Sequence, residues 1–287
     1  MFMTRIVSTL VAMVLLTGCV GRDAAAPARA SSSPRPVVVQ GAMDVEIRKL
    51  AGALENATEE KVQAWTFWRG TVDGYPVVVS KTLKGMSNAA VATALAAERY
   101  HPIAIINQGT AGGHIPDLHV FDIVVGTHSV NLGSFKTGYR ARGRGSDVAE
   151  WVPLDLNRTD GSAGQDPNAR VMRRFEADAG LLEAARRARD LYPHGRVLEG
   201  VIGSSEVWNS EIDRIARFNE AFGTTVEEME TASAAQIAAA FQIPFLGIRV
   251  VSNNITNGGI YDTKTGEACQ DYVYTVVRSY IGQQRTR

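Results

Sequence analysis

The chain has 287 residues, 30 Lys and Arg against 30 Asp and Glu, and 45% hydrophobic residues. That length and apolar fraction suit one large α/β domain or two small ones. The charge is balanced and no basic stripe is interleaved with aromatics, so nucleic-acid binding is excluded as a reading.

The N-terminus stands apart from the rest. Arg5 and the free amino group make a short positive region, and Ile6 to Leu16 is an apolar core too short to span a bilayer. Export is therefore expected, with residues 1–18 as a signal peptide. Leu16, Thr17, Gly18 and Cys19 resemble the cleavage and lipidation box of bacterial lipoproteins, in which the cysteine is acylated; a plain secretory signal is the alternative. Several acyl chains on Cys19 would anchor the protein firmly, because each buried methylene contributes about 0.8 kcal/mol and one chain alone is marginal. Val20, rather than an aspartate, follows the cysteine, which by resemblance favours the outer membrane, facing the periplasm. Residues 19–36 are rich in Ala, Ser, Pro and Arg without periodicity and read as a flexible tether. With Cys19 lipidated, Cys269 is left alone and no intramolecular disulfide forms.

Residues 37–287 read as the folded domain. Val37 to Gln40 is a β-branched run that leads through Gly41, Ala42 and Met43 into a helix pattern beginning near Asp44, with Ile47, Leu50 and Leu54 on one face. Glu46 falls in the first helical turn, where the helix dipole favours an acid; that accounts for it about as well as catalysis does. Thr71 to Ser80 alternates around an Asp73-Gly74 turn and predicts an antiparallel pair. Gly85, Met86, Ser87 and Asn88 open an alanine-rich helix to about Tyr100, a start that suits an anion site or an ordinary N-cap. Ile103 to Asn107 is a buried strand, and Gln108 to Gly113 is expected to follow it as a loop of small residues.

Phe121 to Val125 continues the β pattern towards His128, for which a structural role outweighs a catalytic one. Periodicity is lost from Asn131 to Asn168, which predicts a long surface excursion. Val171 to Leu191 reads as a helix whose Arg186, Arg187 and Arg189 form a solvated face. Arg196 to Gly203 is a strand, and beyond its end lie Ser204, Ser205, Glu206, Val207, Trp208 and Asn209. Trp208 either stacks on a flat ligand or covers the core. Ile212 to Phe222 and roughly Cys269 to Tyr280 read as helices.

The stretch Val226 to Asn254 carries the least ordinary polar residues. Met229 to Phe241 is alanine-rich and helical, Pro244 follows its end, and Phe245 to Val251 is an apolar run typical of a strand buried on both faces. That run contains Arg249 and ends in Ser252, Asn253 and Asn254, while Glu227, Glu228 and Glu230 sit at the far end of the helix. Polar groups beyond the carboxyl ends of strands in open α/β sheets are candidate ligand contacts.

Four segments recur in family order: GAMDVE at Gly41 to Glu46, INQGTAGG at Ile106 to Gly113, EEMET at Glu227 to Thr231, and IPFLGIRVVSN at Ile243 to Asn253. In them the chain resembles the nucleoside phosphorylase and nucleosidase superfamily, and most closely its methylthioadenosine/S-adenosylhomocysteine nucleosidases, over residues 37 to 285. The resemblance implies an α/β fold, a single domain with a central mixed β-sheet flanked by helices, usually a homodimer, that cleaves the bond between a purine and a ribose. It implies Glu46 as the water-activating base, Glu230 as the holder of the ribose hydroxyls and Met229 as packing against the sugar. Met43, Thr110, Ala111, Gly112 and Glu228 fall in segments implied to line the substrate site. Val207 and Trp208 lie where the base is held, and Ser252 lies beside it. Arg249 is expected to find acceptors, a catalytic-site carboxylate among them, because a buried guanidinium needs them. No metal and no cofactor are expected; the partners are a purine nucleoside, water and the lipid anchor.

Asn253 departs from the pattern, because the nucleosidases carry there an aspartate that protonates the leaving purine. A neutral amide donates and accepts hydrogen bonds but transfers no proton. Three consequences stay open: a base that needs less acid help, a 6-oxopurine read by the amide, or lost activity. The loop Asn107 to Gly113 has no arginine to hold phosphate, so water is the expected nucleophile. A phosphorylase and a non-catalytic nucleoside-binding lipoprotein are the alternatives to a hydrolase.

Overall fold

The computed structural model describes residues 34–145, 147, 150–153 and 174–285. The leader, Cys19 and the tether up to residue 33 lie outside the described residues, as do 146, 148, 149 and 154–168 of the predicted surface excursion and 171–173 of the predicted helix that follows it.

The first strand shows how the sheet is buried. β1 (Val37–Gly41) is fully buried, and its side chains alternate: Val37 and Val39 join one apolar cluster, Val38 another. α1 (Asp44–Gly52) follows directly, and then a polar strand, β2 (Glu55–Val62), which lies at the sheet edge against β3 (Trp65–Val72). β2 escapes sequence reading because its ENATEEKV stretch is mostly exposed; only the ladder to β3 makes it a strand. β3 turns into β4 (Tyr75–Lys81) through Asp73 and Gly74, both at positive φ (49° and 72°), the backbone a two-residue Asp-Gly hairpin requires.

α2 (Met86–Tyr100) leads to β5 (Ala104–Gly113), which runs through the segment expected to be a loop. The correction has a physical basis: Gln108 to Gly112 are laddered to a neighbouring strand on one side, and Gly112 and Gly113 to another on the other side. β6 (Ile123–Asn131) comes next, with a small satellite pair, β7 (Phe135–Lys136) and β8 (Val152–Pro153). Arg174 to Glu176, expected to be helical, form β9 (Arg174–Glu176) beside β6, with Phe175 buried. α3 (Ala179–Ala188) starts only after Asp178, whose carboxylate accepts from Leu181 N at 2.9 Å.

β10 (Val197–Ser204) and α4 (Ile212–Phe222) lie where the sequence places them. Glu227 and Glu228, expected near the head of a helix, instead end β11 (Thr224–Glu228), a buried strand of β-branched residues. α5 (Thr231–Ala240) begins just beyond, β12 (Phe245–Asn253) includes the polar Ser252 and Asn253, and α6 (Thr265–Arg285) closes the chain.

The main sheet is mixed, in the order β11-β10-β6-β12-β5-β1-β4-β3-β2. β11 also pairs antiparallel with β5, so β5, β12, β6, β10 and β11 close into a ring. Residues of α1, α3 and α6 pack on one apolar face and residues of α2 and α5 on the other. No helix among the described residues is long and apolar enough to cross a membrane.

Candidate active site

A cavity of about 820 Å³ opens at the carboxyl ends of β1, β5, β10, β11 and β12. In open α/β sheets this is where the strands stop and loops present polar groups. It gathers Met43, Glu46, Thr110, Ala111, Gly112, Val207, Trp208, Glu228, Met229, Glu230, Ser252 and Asn253 on one wall or another. Of the site residues expected from the sequence, only Arg249 lies behind the wall, 1% exposed.

Glu46 is the third residue of α1, and its carboxylate folds back on the chain entering that helix. Oε2 accepts from Ala42 N and Met43 N, each at 3.0 Å, and Oε1 accepts from Thr110 N and Thr110 Oγ1, each at 2.9 Å. Four donors thus fix one buried carboxylate in place. Gly109 is needed beside it: a Cβ there would lie 2.8 Å from Glu46 Oε1. The helix-dipole and catalytic readings of Glu46 turn out compatible, since the helix start that favours the acid also points it at the cavity.

Glu230 sits at the N-terminus of α5, where its Oε1 accepts from Gly85 N at 2.9 Å. Burial, reinforced by the charges of Glu228 and Glu46, pushes its carboxyl up to about 8, against the pull of Arg249.

Behind it, Arg249 uses all five of its N–H groups. Nε and Nη2 donate to Glu228 Oε2, Nη1 donates to the carbonyls of Asn107 (3.0 Å) and Ile248 (2.9 Å), and Nη2 also donates to Asn107 Oδ1 at 2.6 Å. Glu228 in turn accepts from Ser204 Oγ and from the amides of Glu230 and Thr231, the latter two within 3.1 Å. Although Glu228 borders the cavity, its carboxylate faces the protein, so its part is to position α5 and Glu230.

On the opposite wall Ser252 Oγ donates to Asn253 Oδ1 at 2.8 Å. Asn253 Nδ2 is left facing Gly112, 3.4 Å from where a Cβ would be. Trp208, 63% exposed, meets Tyr261 edge to face at 5.9 Å, so it stands at the cavity mouth and does not cover the core. Tyr261, whose hydroxyl lies 3.5 Å from Thr110 Oγ1, was invisible in the sequence because it follows an irregular glycine turn.

His114, Asn209 and Glu227 also line the cavity without having been assigned roles. His114 follows the small-residue run directly, a position that signals it. His128 lies outside the lining, with Nδ1 near Thr127 Oγ1 (3.2 Å) and Arg174 Nη2 (3.3 Å), in keeping with a structural role. The N-terminus of α2 holds an anion of the chain's own: Glu206 Oε1 accepts from Met86 N at 2.8 Å and Ser87 N at 3.3 Å.

Residues 36–281 match the Phosphorylase superfamily. The chain belongs to that superfamily. Its relatives include the 5'-methylthioadenosine/S-adenosylhomocysteine nucleosidases of Bacillus thuringiensis (strain Al Hakam) and Bacillus cereus (strain AH187). Each is 31% identical over 222 residues, 76% of this chain and 85% of the relative. The nucleosidase of Neisseria meningitidis, solved with methylthio-immucillin-A, superposes with a TM-score of 0.68 at 27% identity, covering 85% of this chain and 99% of that one. Futalosine hydrolase of Helicobacter pylori shares the superfamily fold at a TM-score of 0.67 and 19% identity, over 85% of this chain and 97% of its own.

Proposed function

We propose that this chain hydrolyses the N-glycosidic bond of a purine nucleoside, releasing free base and a ribose derivative, as the names of its nucleosidase relatives suggest. The observation that carries the reading is the convergence of Glu46 and Glu230 on one cavity, each fixed by backbone amides. Bond breaking leaves an oxocarbenium-like sugar, which needs an activated water and a nearby anion. Glu46 takes a proton from water as its oxygen bonds to the anomeric carbon. Glu230 accepts from the ribose hydroxyls and stabilises the cation. The base leaves with the bonding electrons, its developing charge met by the Asn253 amide, and takes its proton from solvent.

Water rather than phosphate is the nucleophile in this reading. Among the described lining residues Lys84 is the one Lys or Arg, and it is exposed. The purified chain, incubated with methylthioadenosine, S-adenosylhomocysteine, inosine and guanosine with and without phosphate, should release free base without needing phosphate. Strictly phosphate-dependent turnover yielding ribose 1-phosphate would make it a phosphorylase, and no base in either condition would sink the enzyme reading for these substrates.

Export and anchoring through Cys19 to the outer membrane, facing the periplasm, belong to the same proposal and rest on the leader sequence. Cys19→Ser should shift the protein from the membrane to the soluble fraction. A homodimer is likewise proposed, supported by the exposed Val207, Trp208, Ile212 and Ile255 around the cavity mouth.

A further inference from the structure

Glu46 has to accept a proton from water, yet its acceptor positions are full. Ala42 N and Met43 N donate to Oε2 at 3.0 Å each, and Thr110 N and Thr110 Oγ1 donate to Oε1 at 2.9 Å each. A carboxylate offers about four lone-pair sites, so these donors fill it. Water reaches the base only where one of them leaves.

Three of the four are held by the backbone. The amides of Ala42 and Met43 belong to the chain entering α1, and the amide of Thr110 belongs to β5, so their directions are set by the fold. The Thr110 hydroxyl is different, because its proton turns about the Cβ–Oγ1 bond while every heavy atom stays in place. Whether it turns depends on a second partner. The Tyr261 hydroxyl lies 3.5 Å from Thr110 Oγ1, and either oxygen can be the donor. That contact is longer than a good O–H···O bond, so Tyr261 leaves Thr110 on Glu46 at rest and becomes its acceptor on closing by about half an ångström.

Tyr261 is placed for such an exchange. Its ring meets Trp208 edge to face at 5.9 Å, and the next residue is tied to β12 by Asp262 N donating to the Ser252 carbonyl at 3.0 Å. Burial raises the Tyr261 phenol above its ordinary range, so at neutral pH it keeps its proton and is both donor and acceptor. Tyr261, Thr110 and Glu46 all line the cavity, so a lone pair released on Glu46 Oε1 is open to a water held there.

We propose that Tyr261 is a positioning residue that opens the general base: it takes over the Thr110 hydroxyl, and the lone pair freed on Glu46 Oε1 receives the nucleophilic water. This rests on the hydrolase reading above and adds to it the step that makes Glu46 available. The chemistry is otherwise unchanged. The water O–H bond breaks to Glu46 as the oxygen bonds to the anomeric carbon, and the glycosidic electron pair leaves with the purine.

The test is a double-variant comparison. Base release from methylthioadenosine, S-adenosylhomocysteine, inosine and guanosine is followed for the full chain, for Tyr261→Phe, for Thr110→Val and for the two combined. Tyr261→Phe keeps the ring against Trp208 and removes one oxygen. It should lower kcat about tenfold and change KM less than about 3-fold, an effect the size of one neutral hydrogen bond. Thr110→Val removes the hydroxyl that covers Glu46, so in that background Tyr261→Phe should change kcat less than about 2-fold. A readout without turnover is the carboxyl-carbon NMR resonance of Glu46, assigned by its disappearance in Glu46→Gln. It should move in Tyr261→Phe and stay put when Tyr261→Phe is added to Thr110→Val.

Tyr261→Phe turning over as fast as the parent, losing in KM alone, or losing the same factor with and without the Thr110 hydroxyl would overturn the assignment. A loss in Thr110→Val as large as that in Glu46→Gln would overturn it too, since the hydroxyl would then carry the proton itself. If Thr110→Val does not fold, Thr110→Ala makes the same comparison. Base released from no nucleoside by the unaltered chain would sink the hydrolase reading for these substrates, and the Glu46 resonance then decides the Tyr261 assignment alone.

Discussion

The two walls of the cavity hold their carboxylates by different means. On the sugar side Glu46 and Glu230 lean largely on backbone amides, and Glu228 behind them is locked to a fully saturated Arg249. On the other side Glu227 is held entirely by side chains, those of His114, Asn209 and Ser205. Backbone donors are placed by the strands and helices themselves, so the sugar wall is as rigid as the fold. Side-chain donors change with single substitutions, so the wall around Glu227 can change without moving the backbone that holds Glu46 and Glu230. The electrostatics diverge in the same way: Glu230, buried and then crowded by like charges, is pushed towards its neutral form, whereas Glu227, also buried but surrounded by donors, is kept ionised.

The largest effect should come from removing Glu46, the proposed general base. Glu46→Gln is isosteric but cannot take a proton, and general base catalysis is worth roughly 10²- to 10⁴-fold, so kcat should fall by that factor with KM little changed. Steady-state kinetics of base release would show it, and a loss confined to KM would contradict the role.

Next is the anchor behind the sugar wall. Arg249→Met leaves Glu228 buried without its partner, and breaking a buried pair from one side costs about 3–5 kcal/mol, so thermal unfolding should shift down markedly. A variant as stable as the parent would show that the sugar wall does not depend on this pair.

The smallest and most discriminating effect is on pH dependence. Glu230 has a raised carboxyl, so the folded state binds a proton that the unfolded state has released; its contribution to stability is present at low pH and is lost as pH rises from the ordinary glutamate range through about 8. Glu227 has a lowered one, so its contribution is present above the ordinary range and is lost as pH falls through the depressed value. Melting temperatures across pH should therefore flatten between the ordinary glutamate range and about 8 in Glu230→Gln, and below the ordinary range in Glu227→Gln. The same limb flattening in both variants would erase the contrast between the walls. In turnover, kcat/KM should rise as Glu230 ionises and lose that rise in Glu230→Gln.

Much of this was legible beforehand. The valine run of β1, the Asp-Gly hairpin, the α4 boundaries and the polar end of β12 follow from periodicity and turn chemistry, which are local. The motifs also brought Glu46, Glu230 and Asn253 to attention. What failed was non-local. Gln108 to Gly113 looks like a loop because small residues carry no strand signal, and it is a strand because β12 and β11 flank it. Glu227 and Glu228 look like the start of a helix and are the end of a strand, because ladders with β10 and β5 outweigh the propensity of two glutamates.

The sequence by itself determined that the chain folds as alternating buried strands and helices, since that follows from patterns within a few residues, and its resemblance to the nucleosidases drew attention to Glu46 and Glu230. Only the tertiary structure decided that Arg249 and Glu228 serve as an anchor, that Tyr261 stands at the mouth, and that Asn253, Gly112 and Glu227 lie side by side on three strands. Register between strands is set by hydrogen bonds among segments far apart in the chain, and no local pattern encodes which residues those bonds bring side by side.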